Sequence, residues 1–261
     1  MVFSVKSTSD LSKSGPTKVL LYAHHGWGKT FQCRHYQERY GKGLIISGEA
    51  GLKSIEDVSI DYLPFTSWDG PINEEKGIYS CRAILKMITS GEFQKAGYKW
   101  ICIDSLTELA ERLIEHLEKE HEGSGNGFAM WGDYGRIMNG VLKTIRDLPL
   151  HVYITCLAKE EKTPNDTVEY WPHVPGSSVS KKIPALFDHV LCGVRVTEKD
   201  DRGVPRVKRY IASDEVSGWH GKTRDPLGRL QAYEECADVT ELLARMAMTE
   251  DEYSQFKKKG H

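Results

Sequence analysis

A glycine-rich string near the beginning of the chain constrains its fold more than any other feature. The string AHHGWGKT occupies positions 23–30, after an apolar run from Thr17 to Tyr22 and before a stretch from Thr30 to Tyr40 with helical spacing. It nearly matches the pattern G-x-x-x-x-G-K-[ST], in which backbone N–H groups at the start of a helix surround phosphate groups. Ala23 stands where the pattern has its first glycine. We therefore predict a phosphate-binding loop between a strand and a helix.

The residue types in this loop predict a nucleotide with Mg²⁺ as the ligand. Lys29 supplies positive charge for the β- and γ-phosphates, and the hydroxyl of Thr30 is a ligand for Mg²⁺. Asp104 ends a later apolar run, WICID, and suits the second element of such sites, a carboxylate that holds Mg²⁺ through water. We expect the nucleotide to contact His24, His25, Gly26, Trp27, Gly28, Lys29, Thr30 and Phe31.

A carboxylate after the second predicted strand is the candidate general base. Asp104 is followed by Ser105 and not by a glutamate, so the base that activates water has to come from elsewhere. The apolar run from Gly43 to Ser47 predicts a strand, and Glu49 follows it. The carboxyl ends of parallel strands meet at one edge of a sheet, which places Glu49 beside the loop and Asp104. The alternative is that Glu49 is a solvated turn residue.

Short β-branched runs alternate with amphipathic stretches along the whole chain. This alternation predicts an α/β fold, with a mostly parallel sheet flanked by helices. The last two runs predict a C-terminal β-hairpin. The remaining expected elements are a short strand at 60–65, a mainly helical segment at 73–94, a strand at 100–104 with a helix after it, a helix ending near 149, a strand at 151–156, hairpin strands at 190–196 and 207–212, and a helix at 239–246.

Length and composition fit one globular domain. The chain has 261 residues, of which 39% are hydrophobic and 28% are charged. We expect an N-terminal arm over 1–15, one main domain over 16–248, which the resemblance described below makes a RecA-like ATPase domain, and a C-terminal tail over 249–261. The formal net charge of -2 removes any argument for nucleic-acid binding from bulk charge, so a basic surface has to be local.

Cysteine spacing and hydropathy indicate the compartment. The six cysteines are widely scattered, which argues against both structural zinc and a disulfide scaffold. The sequence contains neither the apolar stretch of a signal peptide nor an apolar run long enough for a membrane span. We expect a protein of the reducing cytoplasm, without a membrane partner.

The order of these elements resembles the RecA-like ATPase core over roughly residues 15 to 235. The short chain and the run from Tyr134 into HVYITCLAKEEK are most similar to the phage RecA-like recombinases that anneal single DNA strands. The resemblance implies ATP and Mg²⁺ as cofactors, a homo-oligomeric ring or filament, and Glu49 as the catalytic glutamate. RecA has a γ-phosphate-sensing glutamine after the strand that corresponds to 151–156, where this sequence has Leu157, Ala158 and Lys159.

A second motif of the same resemblance lies near the C-terminus. The string GKTRDP at 221–226 resembles the K-x-R element by which RecA-like and DnaB-like ATPases reach the γ-phosphate of a neighbouring subunit. The resemblance implies catalytic roles in trans for Lys222 and Arg224. The alternative is that both are solvated charges in a turn before Pro226.

Two polar segments are placed where a RecA-like core meets DNA. The first, Glu120 to Tyr134, carries Phe128, Met130 and Trp131. The second, Ala158 to Lys182, has no clear period, and we expect a functional loop. Basic residues interleaved with aromatic ones suit single strands, because charges follow phosphates while rings stack on bases. The candidate DNA-binding residues are Lys159, Lys162, Trp171, Lys181 and Lys182. The alternative is that the tryptophans are buried under the loops.

Together these features predict an ATP-dependent recombination or annealing protein that binds single-stranded DNA and hydrolyses ATP with DNA stimulation. A single-strand-binding protein is a candidate further partner, and a phage-encoded chain would act in the cytoplasm of the host cell. The alternative is a nucleotide-switched loader or regulator of replication or packaging proteins with little turnover. A small-molecule kinase is disfavoured, because the sequence has no arginine-rich lid beside an acceptor pocket.

Overall fold

The computed structural model describes residues 15–123 and 127–258. Most of the expected N-terminal arm and the last three residues of the expected tail lie outside these ranges. Over the described ranges the strands are β1 Lys18–Ala23, β2 Gly43–Ser47, β3 Asp61–Ser67, β4 Tyr79–Ser80, β5 Trp100–Asp104, β6 His151–Lys162, β7 Val168–Pro172, β8 His189–Lys199, β9 Pro205–Ala212, β10 Glu215–Val216, β11 Trp219–His220 and β12 Tyr233–Glu235. The α-helices are α1 Gln32–Tyr40, α2 Cys81–Thr89, α3 Glu92–Lys95, α4 Leu106–Glu120, α5 Gly127–Arg146, α6 Ser177–Lys182, α7 Val239–Ala247 and α8 Glu250–Lys258.

The strands form one mixed sheet in the order β12-β9-β8-β1-β6-β5-β2-β3-β4. The seven strands from β8 to β4 in this order run parallel, while β9 and β12 add an antiparallel edge. The predicted α/β class, the helix-flanked sheet and the C-terminal hairpin, formed by β8 and β9, are therefore confirmed. The elements also follow the chain order that the RecA-like resemblance implies.

Helices cover both faces of the sheet, which explains why the central strands are continuous apolar runs. On β1, Leu20 and Tyr22 face the core under α2, α4 and α5. Val19 and Leu21 face the opposite core under α1 and α7. All six residues of β1 are buried, so the strand is held rigidly at the point where it leads into the glycine-rich loop.

Strand register brings the candidate site together at the carboxyl edge of the sheet. Ala23 pairs with Leu157 on β6 and with Gly193 on β8. Two strands away, Ser47 pairs with Asp104. The end of β1, the end of β2 and the end of β5 therefore open toward one crevice, as expected for an open parallel sheet.

The expected helix at 73–94 is wrong in its first half. Asn73 and Ile78 form a bridge through two backbone hydrogen bonds of 2.9 Å. The helix begins only at Cys81, because the Ser80 hydroxyl caps it by accepting a hydrogen bond from the Ala83 N–H group.

The expected loop at 158–182 is also wrong, because most of it is ordered secondary structure. Strand β6 continues to Lys162 and pairs with β7 as an antiparallel hairpin, and α6 follows. The chain reverses near Asp166, whose φ of 57° lies in the left-handed region. The outer end of the hairpin is exposed and most of its remaining residues are half-buried, so its sequence shows no apolar alternation.

Two further segments are more helical than expected. Helix α5 begins at Gly127 and buries Tyr134, so the second half of the segment 120–134 is helical. Residues 124–126 lie outside the described ranges. The expected tail contains α8, which docks through an ion pair of 3.1 Å between Arg229 and Glu250.

Candidate active site

The glycine-rich loop connects β1 to α1 and has the backbone conformation that its glycines allow. Gly26 and Gly28 have φ angles of 74° and 106°, in the left-handed region that favours glycine. The Lys29 ammonium folds back over the loop and donates hydrogen bonds to the carbonyls of Ala23 (3.1 Å) and His24 (3.2 Å). Burial lowers the pKa of Lys29, although the negative charge of Glu49 opposes this shift.

The predicted magnesium ligands lie in direct contact. Thr30 Oγ1 donates to Asp104 Oδ2 at 2.9 Å, and Thr155 Oγ1 donates to Asp104 Oδ1 at 2.5 Å. A Cβ on Gly51 would lie 2.9 Å from Thr30 Oγ1, so only glycine leaves room beside this pair. A hydroxyl next to a buried carboxylate is the hard-oxygen donor set that Mg²⁺ prefers, so these residues fit the ion.

Glu49 reaches the same site from the end of β2. Its carboxylate accepts a hydrogen bond from the Ser105 hydroxyl, and Ser105 is the residue after Asp104. The Gly48 N–H group donates to the Asp104 carbonyl at 2.8 Å, which ties the two strand ends together. The side chain of Glu49 is therefore oriented by the neighbouring strand end.

A cavity of about 560 Å³ lies between the loop and Glu49, and Thr30, the partner of Asp104, also lines it. It is lined by residues 25–32 of the loop and helix start, and by Glu49, Gly51, Ser54, Leu157, Arg209 and Ala237. Seven of the eight loop residues that we expected to contact the nucleotide therefore line the cavity. His24 does not: its ring lies edge-on to the rings of Tyr170 and Trp219, each 5.6 Å away between centroids.

Trp27 anchors the loop to the β8–β9 hairpin. Its ring is buried, and Nε1 donates to the carbonyls of Val194 and Tyr210 at 3.2 Å. A Cβ on Gly193 would lie 2.7 Å from the ring. The position of the loop is therefore fixed by packing as well as by its own backbone.

Sequence reasoning missed several residues of this site. Thr155 had a signal, because it is a hydroxyl residue within the apolar strand β6. No sequence signal pointed to Arg209, because it lies on β9, far along the chain from the loop. Its Nε donates to the Trp27 carbonyl at 2.7 Å.

The candidate DNA-binding residues lie on the β6–β7 hairpin and α6. Lys159 and Lys181 both form ion pairs with Glu161, at 2.7 and 3.2 Å, and lower its pKa. The Trp171 ring stacks on His220 with centroids 3.8 Å apart, and the Lys181 ammonium lies 5.2 Å from its centroid. Lys162 and Lys182 are exposed.

Two exposed aromatic side chains lie at the start of α5, and one of them is close to the segment that leads into α6. Phe128 is 93% exposed and Trp131 is 46% exposed. A Cβ on Gly176, just before α6, would lie 3.6 Å from the Trp131 ring. The two segments expected to meet DNA are therefore neighbours in space.

Lys222 and Arg224 lie at the opposite edge of the sheet from the loop. Lys222 pairs with Val190 at the start of β8 and donates from Nζ to the Pro184 carbonyl at 3.1 Å. Arg224 is exposed and forms an ion pair of 3.2 Å with Asp188. Within one chain this motif is thus separated from the cavity, and a role in catalysis requires a second subunit.

The family of the chain follows from its sequence match. A profile of the AAA domain matches residues 15–225, which include the loop, Glu49 and Asp104. The chain belongs to the AAA domain family. This AAA domain is accordingly assigned a nucleotide-dependent activity of the ATPase type, for which Mg²⁺ is the usual partner ion. None of the helices in its described part is both long and apolar enough to cross a membrane.

Other comparisons concern individual proteins. No curated protein matches the sequence. Among solved structures, the AAA domain is similar to the RadB recombinase, with 11% identity and a TM-score of 0.36 over 76% of this chain and 80% of that one. It is also similar to the flagellar accessory protein FlaH from Methanocaldococcus jannaschii, with 14% identity and a TM-score of 0.40 over 85% and 87% of the two chains.

Proposed function

We propose that this protein hydrolyses ATP with Mg²⁺, binds single-stranded DNA and promotes annealing or strand pairing as an oligomer. The observation that carries the proposal is the path of β6. Leu157 on this strand lines the nucleotide cavity, and the strand continues directly into the hairpin that bears Lys159, Lys162 and Trp171. Nucleotide and DNA would thus bind to the two ends of one rigid element.

The proposed hydrolytic step uses four side chains. Glu49 is the group that accepts a proton from water as the water attacks the γ-phosphorus and the bond to the ADP oxygen breaks. Lys29 neutralises charge on the β- and γ-phosphates, and the loop N–H groups hold the phosphates. Thr30 and Asp104 would hold Mg²⁺, which neutralises the charge that develops on the phosphate oxygens when it is bound.

The DNA-binding part rests on the neighbouring aromatic and basic groups. Phe128 and Trp131 offer exposed rings for base stacking, whereas one face of the Trp171 ring is already covered by His220, and the exposed Lys162 and Lys182 offer charges for phosphates. This combination binds single strands without reading their sequence. Glu161 reduces the local positive charge, since it pairs with two lysines.

A second candidate is a nucleotide-switched loader or regulator with little turnover. The observation in its favour is Leu157, an apolar residue that lines the cavity where a polar group would sense the γ-phosphate. The ATPase rate of the wild type and of Glu49→Gln, measured with and without single-stranded DNA, separates the two. A DNA-stimulated rate that Glu49→Gln abolishes supports the hydrolase. A negligible wild-type rate with intact nucleotide binding supports the switch.

A further inference from the structure

Two arginines of the β8–β9 hairpin face the glycine-rich loop from the same side of the sheet. Arg195 and Arg209 are directly paired across the two antiparallel strands, so their side chains lie on one face. Arg209 Nε donates to the Trp27 carbonyl at 2.7 Å, and Arg195 Nη1 lies 3.5 Å from the Gly26 carbonyl. The pair therefore extends over the part of the loop that contains its glycines.

The arginine pair lacks a compensating negative charge. Like charges directly opposite each other in a sheet are destabilising. Within residues 15–123 and 127–258, no carboxylate lies within 4.0 Å of either guanidinium group, whereas Arg206 on the same strand pairs with Asp200 at 3.1 Å. The Nη groups of Arg209 also form no hydrogen bond within these ranges. Two unpaired guanidinium groups beside a phosphate-binding loop form a site for an anion.

Glycine positions in the loop leave room for this arrangement. A Cβ on Gly26 would lie 2.6 Å from Arg195 Nη1, and one on Gly28 would lie 3.7 Å from Arg209 Nε and 3.8 Å from the Phe31 Cβ. Arg209 and Phe31 also both line the cavity. The glycines thus allow the guanidinium groups to approach the loop, and they place Arg209 at the Phe31 side of the cavity.

We propose that Arg195 and Arg209 form a cation pair that binds the nucleotide phosphates from within the same chain, with Arg209 in direct contact. This rests on the proposed function, because it requires a nucleotide in the cavity. Both arginines contact the glycine-containing part of the loop, at the carbonyls of Gly26 and Trp27, and the backbone of this part of a phosphate-binding loop surrounds the α- and β-phosphates. The pair therefore acts on phosphates common to ATP and ADP. It is distinct from Lys222 and Arg224, which can act only on a neighbouring subunit.

Binding of MgADP and MgATP to Arg209→Gln tests the direct contact. We expect affinity for both nucleotides to fall by roughly 10- to 100-fold, the usual size for a charge-assisted hydrogen bond. Arg209→Lys should recover part of the loss. Arg206→Gln, three positions earlier on the opposite face of β9, is the control and should bind like the wild type. Unchanged affinity of Arg209→Gln, or an equal loss in Arg206→Gln, would overturn the proposal.

Melting temperatures of Arg195→Gln separate binding from a structural role. Removing one of two like charges should leave the melting temperature without nucleotide unchanged or higher, while MgADP should raise it less than in the wild type. A structural contact predicts the opposite: a lower melting temperature without nucleotide and an unchanged shift on adding MgADP. If wild-type protein itself binds neither nucleotide, the proposed function fails. If the wild type binds and both variants match it, only the arginine proposal fails.

Discussion

The Ser105 hydroxyl donates a hydrogen bond to the Glu49 carboxylate and, at the same time, caps helix α4 by accepting from the Glu108 N–H group at 3.3 Å. The candidate base is thus oriented by the N-cap residue of helix α4. We expect Ser105→Ala to lower kcat roughly 10-fold with little change in KM, because the carboxylate loses its fixed orientation. Steady-state ATPase kinetics provide the measurement.

The conservative variant tests whether a hydroxyl at this position is sufficient. Ser105→Thr keeps a hydroxyl and should retain most of kcat, whereas Glu49→Gln should lose about 10²-fold or more while nucleotide affinity is kept. Equal kcat values for Ser105→Ala and the wild type would show that Ser105 serves only as a helix cap.

Asp104→Asn should abolish Mg²⁺-dependent turnover and leave the fold intact. Asparagine has nearly the same shape, and its side-chain oxygen still accepts the 2.5 Å hydrogen bond from Thr155. It lacks the negative charge that a divalent cation requires. ATPase rates over a Mg²⁺ titration, with a melting curve, check this. Full ATPase activity of Asp104→Asn, with a melting curve like that of the wild type, would show that the charge of Asp104 has no role in catalysis.

DNA affinity should depend strongly on salt despite the net charge of -2. Lysines that contact phosphates release counterions from the DNA, so the logarithm of affinity falls linearly with the logarithm of salt concentration. Fluorescence anisotropy with a labelled single strand measures the slope. A variant with alanine at all four candidate lysines, Lys159, Lys162, Lys181 and Lys182, should bind weakly and show a flatter slope.

Glu161→Gln offers the reverse test of the same surface. It frees Lys159 and Lys181 from their ion pairs, so DNA should bind several-fold more tightly. If neither Glu161→Gln nor the four-alanine variant alters DNA affinity, the DNA site lies elsewhere on the molecule.

Catalysis should require contact between subunits if Arg224 acts in trans. Arg224→Ala should lower turnover by about 10³-fold or more and affect nucleotide affinity much less. An equimolar mixture of Arg224→Ala and Lys29→Ala subunits should regain part of the activity, because some interfaces then combine an intact loop with an intact arginine. A mixture that co-assembles and stays inactive would contradict the trans role.

Stability should fall in mild acid because of His151. Burial, with a smaller contribution from the charge of Lys18, lowers the pKa of His151 to about 4, and its Nδ1 accepts from the Thr17 N–H group at 3.2 Å. The unfolded chain binds this proton near pH 6.5, so stability present above that pH is lost as the pH falls from about 6.5 to about 4. We expect a loss of ~1–3 kcal/mol in this window.

The variant His151→Gln isolates this contribution from other titrating groups. Glutamine keeps an acceptor for Thr17 and takes up no proton in this range. Denaturant unfolding at several pH values should therefore show the wild type losing stability relative to His151→Gln as the pH falls. If the free energies of unfolding of the wild type and of His151→Gln change with pH in the same way, His151 is not the cause of the loss of stability.

The sequence was sufficient to predict the parts of the molecule whose structure is determined by a local pattern of residues. Strands β1, β2 and β5 were predictable because helices bury them on both faces. The loop was predictable because phosphate binding restricts its residue types. The β6–β7 hairpin was not, since most of its residues are half-buried or exposed and therefore impose no apolar period. Arg195 and Arg209 were not, because only strand pairing over long chain separations brings them to the loop. The trans role of Lys222 and Arg224 stays a prediction.

The contact between Trp27 and Gly193 ties two distant parts of the sequence to each other. The tryptophan occupies a position that the phosphate-binding pattern leaves free, so the pattern alone does not select it. The size of residue 27 is instead explained by the strand against which it packs. Because Gly193 has no side chain, there is space for a large ring at this point. Related chains with a side chain at 193 should therefore carry a smaller residue at 27, and the two positions should change together during evolution while the phosphate-binding residues around them stay constant.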